Sequence, residues 1–164
     1  MVVITVASRK GGSGKSTLTA NLAAFADKAS RRCLLTDADP QGSLSLWHGL
    51  RKSGEPPLRT EHRQRRRPPA TLVVIPAKRD GAESPLCTQA RDSLEVLRAP
   101  VWFGQITHRT TYSLALAGGQ GAREFDAESQ AASEIARLFN SIERSVKAIQ
   151  GEYKGINVMH RRAA

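Results

Sequence analysis

Residues Ser8 to Thr17 read Ser-Arg-Lys-Gly-Gly-Ser-Gly-Lys-Ser-Thr, or SRKGGSGKST. What flanks this stretch decides how it is read. Upstream, Val2 to Ala7 is a short apolar run rich in β-branched residues, the pattern of a strand buried on both faces of a parallel sheet. Downstream, Leu18, Leu22, Phe25, Ala26 and Ala29 recur at helical spacing, so a helix starts at the end of the loop and packs one face on the sheet. A glycine-rich turn between a buried strand and a helix points several backbone N–H groups at one spot, where the positive end of the helix dipole adds to them. Such a nest binds phosphate. Gly11, Gly12 and Gly14 let the backbone come close, Ser13 lies between them, Lys15 reaches β- and γ-phosphates, the Ser16 hydroxyl is placed to ligate Mg²⁺, and Thr17 is placed at the α-phosphate.

The rest of the chain alternates in the same way. Cys33 to Asp37 is a second buried-strand pattern, Ala38 to Gly42 its polar exit, and Ser43 to Leu50 a short helix. Residues 51–70 hold Arg51, Lys52, Arg59, Arg63, Arg65, Arg66 and Arg67 with four prolines and almost no apolar residues, which predicts an exposed basic linker. Leu72 to Ile75 resumes the strand pattern and ends at Pro76. Ser84-Pro85 opens a helix with a capping hydroxyl and a first-turn proline, and Leu86, Ala90, Leu94 and Leu97 mark its inner face. Val101 to Ile106 reads as a further strand. Asp126 to Ile149 reads as a long helix with Ile135, Leu138, Phe139, Ile142, Val146 and Ile149 on one stripe, and Glu134, Arg137, Glu143, Arg144 and Lys147 mostly outside it. Strands alternating with helices predict an α/β fold with a mainly parallel sheet.

At 164 residues and 40% hydrophobic content, one domain over residues 1–164 accommodates all of this. A net charge of +10 favours polyanionic partners. Cys33 and Cys87 lie far apart and read as packing thiols, and His48, His62, His108 and His160 form no metal-ligand spacing. The N-terminus has none of the parts of a secretory signal, and no apolar run reaches membrane-spanning length, so a cytoplasmic protein is expected.

The strict phosphate-loop pattern G-x-x-x-x-G-K-[ST] needs glycine at position 9, where Arg9 stands. The run Lys10-Gly-Gly-Ser-Gly-Lys-Ser16 resembles instead the deviant phosphate loop of the ParA/MinD family of P-loop ATPases. The segment Asp37-Ala-Asp-Pro-Gln41 is similar to that family's Asp-x-Asp-Pro-Gln segment, and residues 108–142 resemble the end of ParA-type partition proteins; the likeness covers residues 1–50 and 71–150. The resemblance implies a three-layer P-loop fold, ATP with Mg²⁺ as cofactors, and an ATP-dependent homodimer in which Lys10 reaches the partner subunit's phosphates. It implies that Lys10, Lys15 and Asp39 are catalytic, and that Ser16, Asp39 and Asp37 serve the metal and the attacking water. It further implies non-specific DNA binding, with Arg137, Arg144 and Lys147 as candidates, a ParB-like partner, no membrane attachment, and a role in plasmid or chromosome partition.

The chain departs from the family in two places. The apolar strand ending in aspartate that holds Mg²⁺ through water is absent: between Gly42 and Pro100 the sole apolar run, Leu72 to Ile75, ends in proline. The asparagine that reads the adenine is absent too, since Lys78-Arg79-Asp80 follows Ala77 directly. The family fold would then lack a central strand, and the alternative to an ATPase is a non-catalytic nucleotide- or DNA-binding remnant. The basic stretch 51–67 reads either as a non-specific DNA contact or as a solvated linker.

Overall fold

The computed structural model describes residues 4–6, 12–60, 85–96 and 101–161. Within the helix Gln130–Arg161, side chains are described to Gly151 with the exception of Ile149, and in the helix Pro85–Val96 those of Leu86, Cys87 and Ala90 are left out. The elements in chain order are α1 (Lys15–Lys28), β1 (Leu35–Asp37), α2 (Ser43–Gly49), β2 (Leu58–Thr60), α3 (Pro85–Val96), α4 (Thr110–Ala117), α5 (Ala122–Phe125) and α6 (Gln130–Arg161). The expected strand at Leu72 to Ile75 and most of the expected strand at Val2 to Ala7 lie outside the described residues; Ile4 to Val6 are not in a strand.

The helix predicted after the glycine loop is α1, and it organises everything else. Its small face, Ala20, Ala23 and Ala24, packs with Leu35 of β1 and with Leu44 and Trp47 of α2 in one buried cluster. Its bulkier side, with Phe25 buried and Leu18 and Leu22 half-buried, packs with Tyr112 of α4, Ala122 of α5 and Ala131 and Ile135 of α6 in a second. Alanines on one face let a strand and a second helix approach the α1 backbone, while the larger residues fill the wider gap to α6. The Phe25 and Phe139 rings, 4.9 Å apart and tilted, close that gap. The helix ends where Ser30 takes a left-handed φ of 56° and Arg31 N–H reaches back to the Ala26 carbonyl.

β1 and β2 pair in parallel with Leu35 opposite Leu58, Thr36 opposite Arg59 and Asp37 opposite Thr60. A parallel pair needs a crossover, and α2 supplies it, making β1–α2–β2 a compact βαβ unit. β2 falls inside the stretch expected to be an exposed linker, which corrects that expectation for residues 58–60. Side-chain composition gave no reason for a strand there, but β1 offers unpaired ladder groups, and Leu58 adds its side chain to the Leu35 cluster. Leu35 N–H also bonds the Pro57 carbonyl at 2.9 Å, extending the pairing by one residue.

A second correction concerns Val101 to Ile106, which holds no ladder of strand residues; only Val101 and Thr107 make isolated bridges. Trp102 turns inward while Phe103 faces solvent, and the indole lies across Gly104 so closely that a Cβ there would sit 2.2 Å from the ring. The apolar run is thus a bend folded around one tryptophan. The long helix starts at Gln130 instead of Asp126 because Ser129 caps it: the Ser129 hydroxyl accepts the Ala132 N–H at 3.1 Å and donates to the Asp126 carbonyl at 2.7 Å. It runs past the expected end at Ile149 to Arg161. Among the described residues no helix is long and apolar enough to cross a membrane.

Candidate functional site

Lys10 and Gly11 lie outside the described residues, so the site is built from Gly12 onward. Gly12 and Gly14 have φ of 68° and 80°, a left-handed geometry that glycine adopts without a Cβ penalty, and a Cβ at either would meet nothing within 4 Å. Gly14 caps α1 and has no side chain with which to bond the first-turn N–H groups, and the first turn holds no acidic residue. Lys15, Ser16 and Thr17 are half-buried in that turn. A helix amino end whose cap brings no side-chain acceptor, next to a lysine and two hydroxyls, fits a phosphate group in charge and in hydrogen-bonding type. The turn is braced from behind: Thr19 Oγ donates to the Lys15 carbonyl at 2.9 Å and Asn21 Nδ2 to the Thr17 carbonyl at 2.8 Å. Asn21 is itself buried, and its Oδ1 accepts the Ala122 N–H at 2.6 Å, so one side chain ties the loop helix to the start of α5.

The two aspartates behave differently. Asp37, the last residue of β1, is buried; its Oδ2 accepts both the N–H and the hydroxyl of Ser45, at 2.9 and 2.8 Å, and its Oδ1 accepts the Asp39 N–H at 3.2 Å. Asp39 is exposed, and its Oδ1 accepts the Gln41 N–H at 3.0 Å. Both lie at the carboxyl end of β1. A cleft lined by Asp27 and Ser30 at the end of α1 also includes Cys33, Pro56 and Pro57 at the starts of β1 and β2, so the carboxyl ends of the strands point the other way, to the amino end of α1. In open α/β sheets that end carries the ligand.

The residue the sequence reading misplaced most is Arg51. Expected in a solvated linker, its side chain is 3% exposed, paired with Glu124 through both carboxylate oxygens at 2.8 and 2.9 Å, bonded to the carbonyls of Gly119 at 3.0 Å and of Glu55, and stacked over Trp47 at 4.8 Å. Trp47 Nε1 donates to the Gln120 carbonyl at 3.1 Å in the same contact. The exit of α2 is thereby clamped to the turn between α4 and α5, and Gly119, at φ 67°, packs so tightly there that a Cβ would lie 2.4 Å from the Leu50 backbone. Glu134, expected mostly outside the apolar stripe, is likewise buried. It borders Ile135 and meets Arg109, Thr107 and Tyr112, and the Arg-Thr-Thr-Tyr run at the cap and first turn of α4 was the signal that could have located two of these partners.

Electrostatics follow these contacts. Burial raises the Glu124 carboxyl, but the hydrogen bonds from Arg51 and from the Gly121 N–H outweigh it and hold the group below the usual glutamate range. A depressed folded value means stability that is present above the unfolded value and is lost as pH falls through the folded one. Acid titration of unfolding will therefore show a loss of stability below the ordinary glutamate range that is smaller in Glu124→Gln; an identical acid limb in both proteins would remove Glu124 as its source. Burial, then Asp27, push the Cys33 thiol up, in keeping with a packing thiol.

The sequence comparisons agree with this geometry. The domain model described as the CobQ/CobB/MinD/ParA nucleotide binding domain matches residues 4–159. The chain belongs to that family. It is similar to a chromosome partitioning protein ParA of Myxococcus xanthus, 35% identical over 114 residues, covering 59% of this chain and 40% of the relative. It is also similar to the chromosome-partitioning ATPase Soj of Thermus thermophilus, 46% identical over 48 residues (29% and 19% of the two chains). A maintenance of carboxysome distribution protein A of Gloeobacter kilaueensis is 58% identical over 45 residues (27% and 20%). The matched stretch spans less than half of each of these relatives. Family membership makes the α/β domain a nucleotide-binding one of the ParA/MinD type, with α1 and its glycine loop at the amino end of the matched region.

Proposed function

We propose that this chain is a ParA-type ATPase domain that binds ATP with Mg²⁺, dimerises on doing so, binds DNA without sequence preference, and acts in plasmid or chromosome partition. The observation that carries the nucleotide part is the amino end of α1, formed by Lys15, Ser16 and Thr17, whose cap Gly14 brings no side chain and stands with Gly12 in left-handed geometry. Lys15, the first-turn N–H groups and Thr17 would hold the phosphates, with Gly11, Gly12, Ser13 and Gly14 shaping the nest; Ser16 and Asp39 would serve the metal. A bound Mg²⁺ would neutralise charge on the phosphates and orient a water for in-line attack. Lys10 would complete the site of a second copy, which makes dimerisation a condition of turnover. The DNA-binding part is supported by net charge and by Arg137, Arg144 and Lys147, all exposed along α6. A ParB-like partner and a cytoplasmic location belong to the same reading.

A second reading, a nucleotide-binding remnant without turnover, is favoured by the sequence between Gly42 and Pro100, which holds no apolar run ending in aspartate. One experiment separates the two. Titration of a fluorescent ATP analogue in Mg²⁺ is expected to saturate, and Lys15→Ala to weaken it by roughly 10- to 100-fold, the loss of one charge-assisted contact to phosphate, with the melting temperature of the nucleotide-free protein unchanged. Steady-state turnover with DNA present, abolished by Lys15→Ala and by Lys10→Ala, favours the ATPase. Binding without turnover favours the remnant. A wild-type chain that binds no analogue ends both nucleotide readings.

A further inference from the structure

The two aspartates of the Asp37-Ala-Asp-Pro-Gln segment divide their work, and the division follows from burial and from hydrogen bonding. Asp37 is the last residue of β1, where its backbone is fixed by register with Thr60, and the residue is 6% exposed. A carboxylate offers about four lone-pair positions. Three are taken by protein donors: the Ser45 N–H, the Ser45 hydroxyl and the Asp39 N–H. Ser45 stands in the first turn of α2, whose cap, Gly42, has no side chain to offer. Asp37 thus supplies from a neighbouring strand the anion that a capping residue would ordinarily bring, and the positive end of α2 adds to the attraction. Asp39, two residues on, is exposed and uses one oxygen for the Gln41 N–H.

We propose that Asp37 is a positioning residue, clamped by Ser45, that fixes the turn carrying Asp39 at the phosphate-loop end of the sheet and is not itself a ligand of the metal. This rests on the nucleotide-binding reading for its purpose but not for its geometry. Ser45 is part of the device because its hydroxyl and its N–H share one carboxylate oxygen. Removing the hydroxyl leaves the helix start held by one bond, and removing the charge weakens all three contacts together. Asp39 is left as the carboxylate of this segment that can turn toward a metal or a water.

The test compares the wild-type chain with Asp37→Asn, Ser45→Ala and Ser45→Thr by two measurements. In the nucleotide-free protein, amide hydrogen exchange at Asp39 and Ser45 is expected to quicken about tenfold or more in Asp37→Asn and Ser45→Ala, and to stay at the wild-type rate in Ser45→Thr. Affinity for a fluorescent ATP analogue is expected to fall by a similar factor in Asp37→Asn and Ser45→Ala, both in Mg²⁺ and in excess EDTA, with Ser45→Thr restoring it. The proposal is overturned if Asp37→Asn alone removes the enhancement by Mg²⁺ while Ser45→Ala binds as wild type, which would place Asp37 at the metal. Unchanged exchange in both Asp37→Asn and Ser45→Ala overturns it as well. A wild-type protein that binds no analogue refutes the nucleotide reading, and the exchange measurement then decides the clamp by itself.

Discussion

Arg51→Ala is expected to lose about 3–5 kcal/mol of unfolding free energy, the range seen when one partner of a buried ion pair is removed. Glu124 would keep its place at the start of α5, 12% exposed, with the Gly121 N–H at 2.8 Å as its remaining partner. The carbonyl of Gly119 would lose its guanidinium donor, and Trp47 the cation over its ring. Against a total stability of roughly 5–15 kcal/mol for a small domain, such a loss removes from about a fifth of the stability to nearly all of it. Urea titration followed by tryptophan fluorescence reads it directly, since Trp47 sits in the contact. Arg51→Met with Glu124→Leu, which removes both charges, is expected to recover much of the loss because no unpaired ion stays behind. A midpoint in Arg51→Ala within error of the wild type would refute the clamp and return Arg51 to the solvated linker of the sequence reading.

Glu134→Ala is expected to cost a similar amount, about 3–5 kcal/mol, by leaving a half-buried guanidinium without its counter-ion. Glu134 is 2% exposed and gathers four donors: Arg109 Nε at 3.2 Å and Nη2 at 2.9 Å on one oxygen, and the Thr107 N–H and Tyr112 hydroxyl, both at 3.1 Å, on the other. These hold the entrance of α4 against the first turns of α6. Glu134→Gln keeps the shape and two acceptor contacts but turns an amide toward Arg109, so an intermediate loss of about 1–3 kcal/mol is expected. The same network has a mark that stability does not share. Burial first, then the Glu134 carboxylate, push the Tyr112 hydroxyl far above its ordinary value. A raised folded value gives stability that is present below the unfolded value and lost as pH rises past it. Alkaline titration of tyrosinate absorbance should therefore show Tyr112 ionising only on unfolding in the wild type, and earlier in Glu134→Gln. A Tyr112 that titrates alike in both would exclude the Glu134 contact.

The parts of the fold that were legible in the sequence are those decided by local patterns. The helix after the glycine loop follows from the spacing of Leu18, Leu22 and Phe25, and β1 and α2 follow from Cys33 to Asp37 and from the helix behind Gly42. The turn at Gly12 to Gly14 and the start of α1 are equally local, because a left-handed glycine turn and a following helix amino end need nothing distant to form. Four features were not legible. β2 carries one apolar side chain and is held by its neighbour's backbone. The Val101 to Ile106 run has strand composition but bends where an indole covers Gly104. Arg51 and Glu134 look like surface charges in any window of sequence, and each is buried because its counter-charge sits on an element remote in the chain or on the far side of a turn.

The sequence by itself determined the glycine-rich turn, the helix that follows it, the alternation of strand and helix, and the family these imply. Tertiary structure alone decided which charges are solvated and which are clamps, where the second strand lies, and how Asp37 and Asp39 differ. The reason is the range of the interactions. Backbone geometry and helical periodicity act over a few residues and leave a pattern there, whereas burial of a charge depends on whether a partner 73 residues away arrives at 2.8 Å, and no short stretch records that.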